Sequence, residues 1–355
     1  MKLYCIITLT LLLLFSCGKS AEERGMYDKY DSLVDSSKPI SFGENSEIYF
    51  FADTPNSSVV YGVLDSSLSR TVQLTVEERY FELINSPITE FENLKRYKNL
   101  IFCGTLSGRD EVSRHIRSVL DQELQNKVKQ SGAELFLVKN HYVRDQLLIY
   151  LLADNPERLL LLAELQANQL FDILLERFEL RQAYQVYQAS VIDKKLFADL
   201  PFTIKIPQNY QLYSNDQAGR FLSFVFHGRH PSLDLPDKYV SVYYEEAVQN
   251  PVNPEWLQQK RMELANKYFE GDELLPGRQS FEQVKLGDYD ALRMRGAWIN
   301  KDIRGGIGGA FQTYAIWHEA TQKVYLIDNI AYFPSGNKLP LLLELGMISA
   351  SLQIK

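Results

Sequence analysis

Two arginines on one predicted strand offer the clearest chemistry in this sequence. Arg293 and Arg295 lie two positions apart, and because side chains alternate along a strand, both fall opposite Leu292, Met294 and Trp298. Like charges placed side by side on a strand repel each other unless carboxylates or an anion lie between them. Two interpretations therefore stay open: pairing with carboxylates of the chain itself, or a surface that binds an anion or a partner.

A glycine cluster follows these arginines. It comprises Gly305, Gly306, Gly308 and Gly309 and is followed by Phe311. A phosphate-binding loop needs a strand before it and a helix after it, so that backbone N–H groups converge on the anion. The alternating residues 311–318 predict a strand instead, so we interpret the glycines as a hairpin corner. The candidate partner or anion patch consists of these four glycines together with Arg293, Arg295, Trp298 and Phe311.

Other residue types that often carry chemistry form no recognisable motif. His227 and His230 lie close in sequence, but a zinc site needs three or four ligands, so a solvated loop is favoured. Cys103 lies in an apolar predicted strand, where a thiol behaves as a small hydrophobic side chain. We therefore predict no catalytic residue, no metal site and no cofactor.

The N-terminus has the features of a secretory signal peptide: a basic start at Lys2, followed by an apolar run from Leu3 to Phe15. The segment Leu14-Phe15-Ser16-Cys17 resembles the lipobox of bacterial lipoproteins, in which the Cys is acylated and the signal is cut before it. The resemblance implies lipidation of Cys17 by palmitate-like chains, and hence a membrane anchor.

The resemblance to lipoproteins also implies a location. Gly18 stands where an Asp would retain such a protein in the inner membrane, so the outer membrane is expected, on its periplasmic side or at the cell surface. Residues 18–39 are rich in charge and Ser and predict a flexible tether, which as a coil would span about 26 Å.

The composition is that of a folded protein, with 355 residues, 45% of them hydrophobic and 23% charged. A formal net charge of −7 argues against nucleic acid as a partner, because phosphates attract Lys and Arg. The length suggests two packed units at roughly 150 residues each. With Cys5 removed and Cys17 acylated, Cys103 is left without a disulfide partner.

The predicted elements divide the chain near residue 190. Residues 1–16 are the signal peptide, 17–39 the lipidated Cys and tether, 40–190 an N-terminal α/β unit, and 191–355 a C-terminal α+β unit. Asn155-Pro156-Glu157 predicts the start of a helix that runs to about Tyr187, with a length of about 50 Å, and joins the units. Other predictions include a strand over 72–83, a helix over 113–129, and strands over 221–227, 239–245, 280–286 and 289–299. A strand over 312–332 is expected to fold back on itself near Ala320-Thr321, and a helix over 339–352 closes the chain.

The fold class predicted from these elements is α+β. Both units are expected to be mixed α/β sandwiches with mostly antiparallel sheets. In the C-terminal unit, the order from the strand at Phe202–Pro207 to the closing helix is similar to that of the Mog1/PsbP-type fold. Element order implies a fold and no function.

Three stretches resemble an uncharacterised family of Bacteroidetes lipoproteins. They are Met294–Trp298, Gly305–Phe311 and Ile330–Pro334, and the family is domain of unknown function 4837. The family's corner reads Gly-Gly-Pro-Phe, whereas Ala310 replaces the Pro here, and Phe333 replaces an Ala before the last Pro. The resemblance implies an envelope location and supplies no chemistry.

The sequence thus favours a lipoprotein that acts as a non-enzymatic binding or assembly module of the cell envelope. Two alternatives stay open. Tyr239 and Tyr243 share a strand face and could stack on a sugar, which would make the chain a carbohydrate or small-ligand binder. An unrecognised hydrolase would instead require a deep pocket with convergent polar groups. An envelope protein or a glycan is the expected partner.

Overall fold

The computed structural model describes residues 33, 35, 37–52, 57–187, 191–230, 232–300 and 307–355. The predicted signal peptide, Cys17, most of the tether, Gly305 and Gly306 lie outside these residues. Among the described residues, no helix combines the length and the apolarity that crossing a membrane requires.

The N-terminal half alternates strands and helices, as predicted. Its elements are β1 (Glu47–Ala52), α1 (Ser57–Leu68), β2 (Thr71–Gln73), β3 (Glu77–Arg79), β4 (Glu82–Asn85), a 3-10 turn (Ile88–Glu90), α2 (Phe91–Leu94), β5 (Asn99–Thr105), α3 (Glu111–Val119), α4 (Gln122–Ser131), β6 (Ala133–Lys139), β7 (Leu147–Ala153) and α5 (Pro156–Val186).

The C-terminal half is dominated by long strands. Its elements are a 3-10 turn (Lys194–Phe197), β8 (Phe202–Thr203), β9 (Gln211–Asp216), β10 (Phe221–His227), β11 (Asp237–Glu246), α6 (Pro254–Tyr268), β12 (Glu273–Leu274), β13 (Ser280–Leu286), β14 (Tyr289–Asn300), β15 (Ile307–His318), a 3-10 turn (Glu319–Thr321), β16 (Lys323–Tyr332), α7 (Leu339–Ser349) and β17 (Gln353–Ile354).

Two element predictions in the N-terminal half were wrong in detail. The strand predicted over 72–83 is the three short strands β2, β3 and β4. The helix predicted over 113–129 is two helices, because Asp121 starts a new one by accepting a hydrogen bond from the N–H of Leu124 at 2.9 Å.

The α+β class is confirmed, but the N-terminal sheet corrects one detail of it. Its strand order is β4-β1-β5-β7-β6, and every pairing except β6 with β7 is parallel. The expectation of a mostly antiparallel sheet fails here because the strands are joined through helices, and such crossovers return the chain in the same direction.

The C-terminal sheet is antiparallel, as predicted. Its order is β12-β14-β15-β16-β11-β10-β9, with β13 also paired to β14. Helix α6 covers one face, above an apolar cluster that includes Leu257, Met294 and Phe311. The other face packs with α7 and α5, in a core that also contains strands of the N-terminal half.

The long helix α5 is confirmed. The side chain of Asn155 accepts a hydrogen bond from the N–H of Arg158 at 3.0 Å, Pro156 opens the first turn, and the helix ends at Tyr187. The division of the chain at residue 190 remains a prediction. The two halves nevertheless share one apolar core, to which α5, α7 and β7 contribute.

Part of the predicted tether contacts the folded body. Leu33 is 1% exposed and packs with Ala183 and Tyr187 of α5. The carbonyl of Lys38 accepts a hydrogen bond from Nε of Arg144 at 3.0 Å. A tether that runs to residue 39 is therefore too long, because an apolar residue at 33 already docks against the helix.

Candidate functional site on the C-terminal sheet

The residues of the predicted patch are not brought together on one surface. Arg293 and Arg295 lie on the sheet face that meets the N-terminal half, whereas Trp298 and Phe311 lie beneath α6. Arg295 is 6% exposed, Trp298 is 5% exposed and Phe311 is fully buried. Both faces of β14 are covered, so these three side chains do not form a shared exposed surface.

Both arginines bind other side chains of the same chain. Nε of Arg295 donates to Oε1 of Gln312 at 2.6 Å, and its Nη1 donates to the hydroxyl of Tyr80 from the N-terminal half. Arg293 pairs with Glu282 on the neighbouring strand β13. Burial raises the pKa of Glu179 on α5, and the charges of Arg295 and Arg293 oppose that rise. Internal pairing, one of the two interpretations, is thus confirmed for Arg293.

The hairpin interpretation of the glycine cluster is confirmed where the structure describes it. Strands β14 and β15 are antiparallel, with Trp298 opposite Gly309 and Ile299 opposite Gly308. Since a strand follows, no helix end is available to bind a phosphate.

A buried ion pair occupies the face beneath α6. Arg261 of α6 is 1% exposed, and its Nε donates to Oδ1 of Asp328 on β16 at 3.2 Å. The hydroxyl of Thr313 donates to the same oxygen at 2.5 Å. The guanidinium carbon lies 3.7 Å from the centre of the Phe311 ring. A carboxylate and an aromatic face therefore hold the guanidinium in place.

Three buried donor atoms on this face of the sheet lack a hydrogen-bond partner among the described residues: Nη1 and Nη2 of Arg261, and Nε1 of Trp298. The indole packs closely against Gly309, where a Cβ would lie 2.7 Å from Nε1. A buried donor without an acceptor costs about 1–3 kcal/mol. This arrangement, the Arg261 cluster, therefore suits an oxygen acceptor: a carbonyl, a carboxylate, a hydroxyl or a water molecule.

A half-buried carboxylate lies next to the Arg261 cluster. Asp272 follows α6 and accepts a hydrogen bond from Nδ2 of Asn300 at 2.9 Å. Burial raises the pKa of Asp272, opposed by Asn300 and by the charge of Arg261 and reinforced by Asp328. The carboxylate therefore interacts electrostatically with the guanidinium of Arg261.

Aromatic rings continue from Asp272 toward the edge of the sheet. The ring centre of Tyr213, a residue 41% exposed, lies 5.2 Å from that of Tyr239 and 5.7 Å from that of Phe269. Burial raises the pKa of Tyr239 to about 12. Tyr239 and Tyr243 both pack on the α6 side, as their alternation predicts, whereas Tyr244 stacks with Tyr325 on the other face.

The remaining predicted residues have local roles. Nδ1 of His227 lies 3.3 Å from Oδ1 of Asp237, whereas His230 contacts Ser232. The predicted burial of Cys103 is confirmed, at 1% exposure, and burial raises the pKa of its thiol.

Sequence reasoning missed Arg261 and Asp328, although a signal was present. Leu257, Arg261 and Leu264 are spaced by four and three residues, so they share the helix face that packs on the core. Asp328 interrupts the apolar strand Val324–Ile330. A charge at a core position of a helix, together with one in an apolar strand, indicates a buried ion pair.

The C-terminal half is an α+β domain. It consists of an antiparallel sheet whose two faces are both covered and which holds a buried polar cluster under α6. Residues 189–351 match the sequence profile of a family described as a domain of unknown function, DUF4837, the family that the sequence motifs resemble. No curated protein matches the chain significantly.

Several solved structures are distantly similar to this chain. LpqN of Mycobacterium tuberculosis, described as involved in cell envelope biogenesis, is 14% identical over 44% of this chain and 87% of its own, with a TM-score of 0.29. The Ran-binding protein Mog1p of Saccharomyces cerevisiae is 12% identical over 43% and 90%, with a TM-score of 0.31. PsbP of Synechocystis is 10% identical over 44% and 87%, with a TM-score of 0.28. Mog1- and PsbP-type proteins, expected from the element order, are thus among the matches.

Proposed function

We propose that this chain is a lipid-anchored binding protein of the bacterial cell envelope, and that the Arg261 cluster holds its ligand without catalysing a reaction. The anchor rests on the sequence Leu14-Phe15-Ser16-Cys17. The docking of Leu33 against α5 supports a short link between that lipid and the folded body. The outer membrane, at its periplasmic side or the cell surface, is the location that we propose.

The observation that carries the binding proposal is the set of free donors in the Arg261 cluster. Arg261 and Asp328 neutralise each other, so the cluster has no excess charge to attract an ion over a neutral molecule. Asp272 interacts electrostatically with Arg261 on one side and with Tyr213, whose ring is exposed, on the other. Donors, an acceptor and an aromatic face together favour a hydroxyl- or carbonyl-bearing small molecule, such as a sugar.

The anchor is tested by metabolic labelling with an alkyne fatty acid. The wild-type chain should take up the label and fractionate with the outer membrane, whereas Cys17→Ala should lose the label and leave the membrane fraction. A Cys17→Ala chain that stays membrane-bound would overturn the anchor.

The ligand site is tested by the indole N–H signals of the chain's three tryptophans in ¹H–¹⁵N NMR spectra. A panel of saccharides and small carbonyl compounds is titrated, and Trp298→Phe assigns the signal. A ligand should shift the Trp298 signal and leave that of Trp317 in place. If no compound shifts the Trp298 signal, the donors are hydrogen-bonded to resident water, and the cluster is not a binding site.

A further inference from the structure

Strand β6 forms one edge of the N-terminal sheet. One side pairs with β7 in an unbroken register from Ala133 to Lys139, and within the described ranges no strand pairs with the other side. The N–H of Asn140 bonds to the carbonyl of Gln146, so even-numbered residues point their backbone groups toward β7. Because bonding alternates in an antiparallel ladder, the N–H and C=O groups of Leu135 and Leu137 point outward.

Edge strands elsewhere in the described chain carry protective features. Strand β9 has an irregular register opposite Ser223 and Phe224, β4 has four residues, and β13 carries Glu282 and Lys285. Bulges, short length and charges discourage pairing with another chain.

Strand β6 lacks these features. It spans seven residues in regular register, contains no Pro, and has the apolar centre Leu-Phe-Leu-Val. Its charges are confined to Glu134, which pairs with Lys127 at 2.9 Å, and to Lys139 at the end. Leu137 is 41% exposed. An apolar, regular edge of this kind is a template for another strand.

We propose that β6 pairs with β6 of a second copy of this chain, antiparallel and about a two-fold axis through Phe136. In this register Phe136 faces Phe136 of the second copy, and Leu135 faces Leu137. The outward backbone groups of these two leucines then bond to each other, which is the pairing that their orientation requires. The two N-terminal sheets become one continuous sheet.

Side chains are compatible with this symmetric pairing. Glu134 faces Val138 of the second copy, and Lys139 faces Ala133, so no like charges lie opposite each other. On this side of the sheet Leu135 packs against the core beneath α5, whose Leu161 and Leu165 are 51% and 68% exposed. These leucines are exposed apolar side chains of the helix that packs on this side of β6. A surface that matches itself in this way favours a homodimer.

A disulfide experiment tests the register in intact cells. Phe136→Cys places a thiol opposite itself across the axis, within the reach of a disulfide. Oxidation should give a dimer band about tenfold stronger than that from Leu212→Cys, a matched leucine at the edge of the other sheet that is 50% exposed. Equal bands from the two variants would overturn the register.

Sedimentation of the purified chain tests the dimer itself. Leu137→Pro removes an outward N–H and leaves the bonds to β7 intact, so it should convert the dimer to a monomer. Leu137→Lys serves the same purpose if the Pro variant fails to fold, and Leu212→Lys should remain dimeric. A wild-type chain that stays monomeric at all concentrations, or a dimer that survives both Leu137 substitutions, would overturn the proposal.

Discussion

The carboxylate of Glu78 caps helix α7 at Lys338, the residue 260 positions later that immediately precedes the helix. Its two oxygens accept hydrogen bonds from the N–H of Lys338 at 2.9 Å each, and one also accepts from the N–H of Leu339 at 2.7 Å. The first residues of α7 have no side-chain cap of their own. Glu78 therefore satisfies the helix N-terminus from the other half of the chain, where the helix dipole favours a negative charge.

Removing this cap should weaken the junction between the halves. Glu78 is 5% exposed, so Glu78→Ala leaves buried N–H groups without an acceptor and should lower the free energy of unfolding by about 2 kcal/mol. Urea unfolding measures the change. Glu164→Ala, an exposed acid on α5, is the control and should change stability by less than about 0.5 kcal/mol. An equal loss in both variants would contradict the capping role.

A second contact across the junction joins Arg295 and Tyr80. A double-mutant cycle with Arg295→Met and Tyr80→Phe should give a coupling energy of about 1–2 kcal/mol, because the buried guanidinium donates to the Tyr80 hydroxyl. Thermal or urea unfolding provides the four stabilities. Tyr80→Phe combined with Tyr213→Phe, on the far edge of the C-terminal sheet, should be additive. A coupling near zero for Arg295 and Tyr80 would mean that their bond contributes nothing to the junction.

Gly309 should be intolerant of any side chain. A Cβ at this position would lie 2.2 Å from the carbonyl oxygen of Ala331 and 2.7 Å from Nε1 of Trp298. Gly309→Ala should therefore destabilise the fold by about 3 kcal/mol through overpacking. Gly62→Ala is the matched control: apart from the backbone of its own helix, no heavy atom would lie within 4 Å of the added Cβ, and Ala in helix α1 should stabilise by about 0.5–1 kcal/mol. The two changes should shift the melting temperature in opposite directions, and a neutral Gly309→Ala would contradict the close packing.

Local signals in the sequence account for much of this fold. The signals for α5, β10, β13 and β14 are the cap at Asn155 and the alternation of the strands. They depend on neighbours along the chain, and these elements were predicted nearly to the residue. The parallel N-terminal sheet was not predicted, since strand direction depends on how distant segments pack. The surroundings of the patch residues could not be predicted for the same reason. The alternation in β14 separates Arg295 from Trp298 correctly, but it cannot tell that the N-terminal half covers one face and α6 the other.

The edge of the C-terminal sheet supplies a pH-dependent prediction at Asp216. Its carboxylate accepts hydrogen bonds from the N–H of Gly219 at 2.8 Å, from Lys267 at 3.0 Å and from Tyr268 at 2.8 Å. These donors lower the pKa of Asp216 from 3.8 to about 2. Because the folded pKa lies below the unfolded one, the ionised group contributes stability that is fully present above pH 3.8 and is lost as the pH falls through about 2.

Asp216→Asn removes this titration. The wild-type chain should be more stable than the variant at pH 7, and the difference should shrink steadily between pH 4 and pH 2. Urea midpoints of both chains across this range measure the difference. Lys267→Met should reduce the wild-type advantage in part, because one of the three donors is lost. A difference that is constant from pH 7 to pH 2 would mean that Asp216 titrates alike in the folded and unfolded chains, and that its three hydrogen bonds favour neither protonation state.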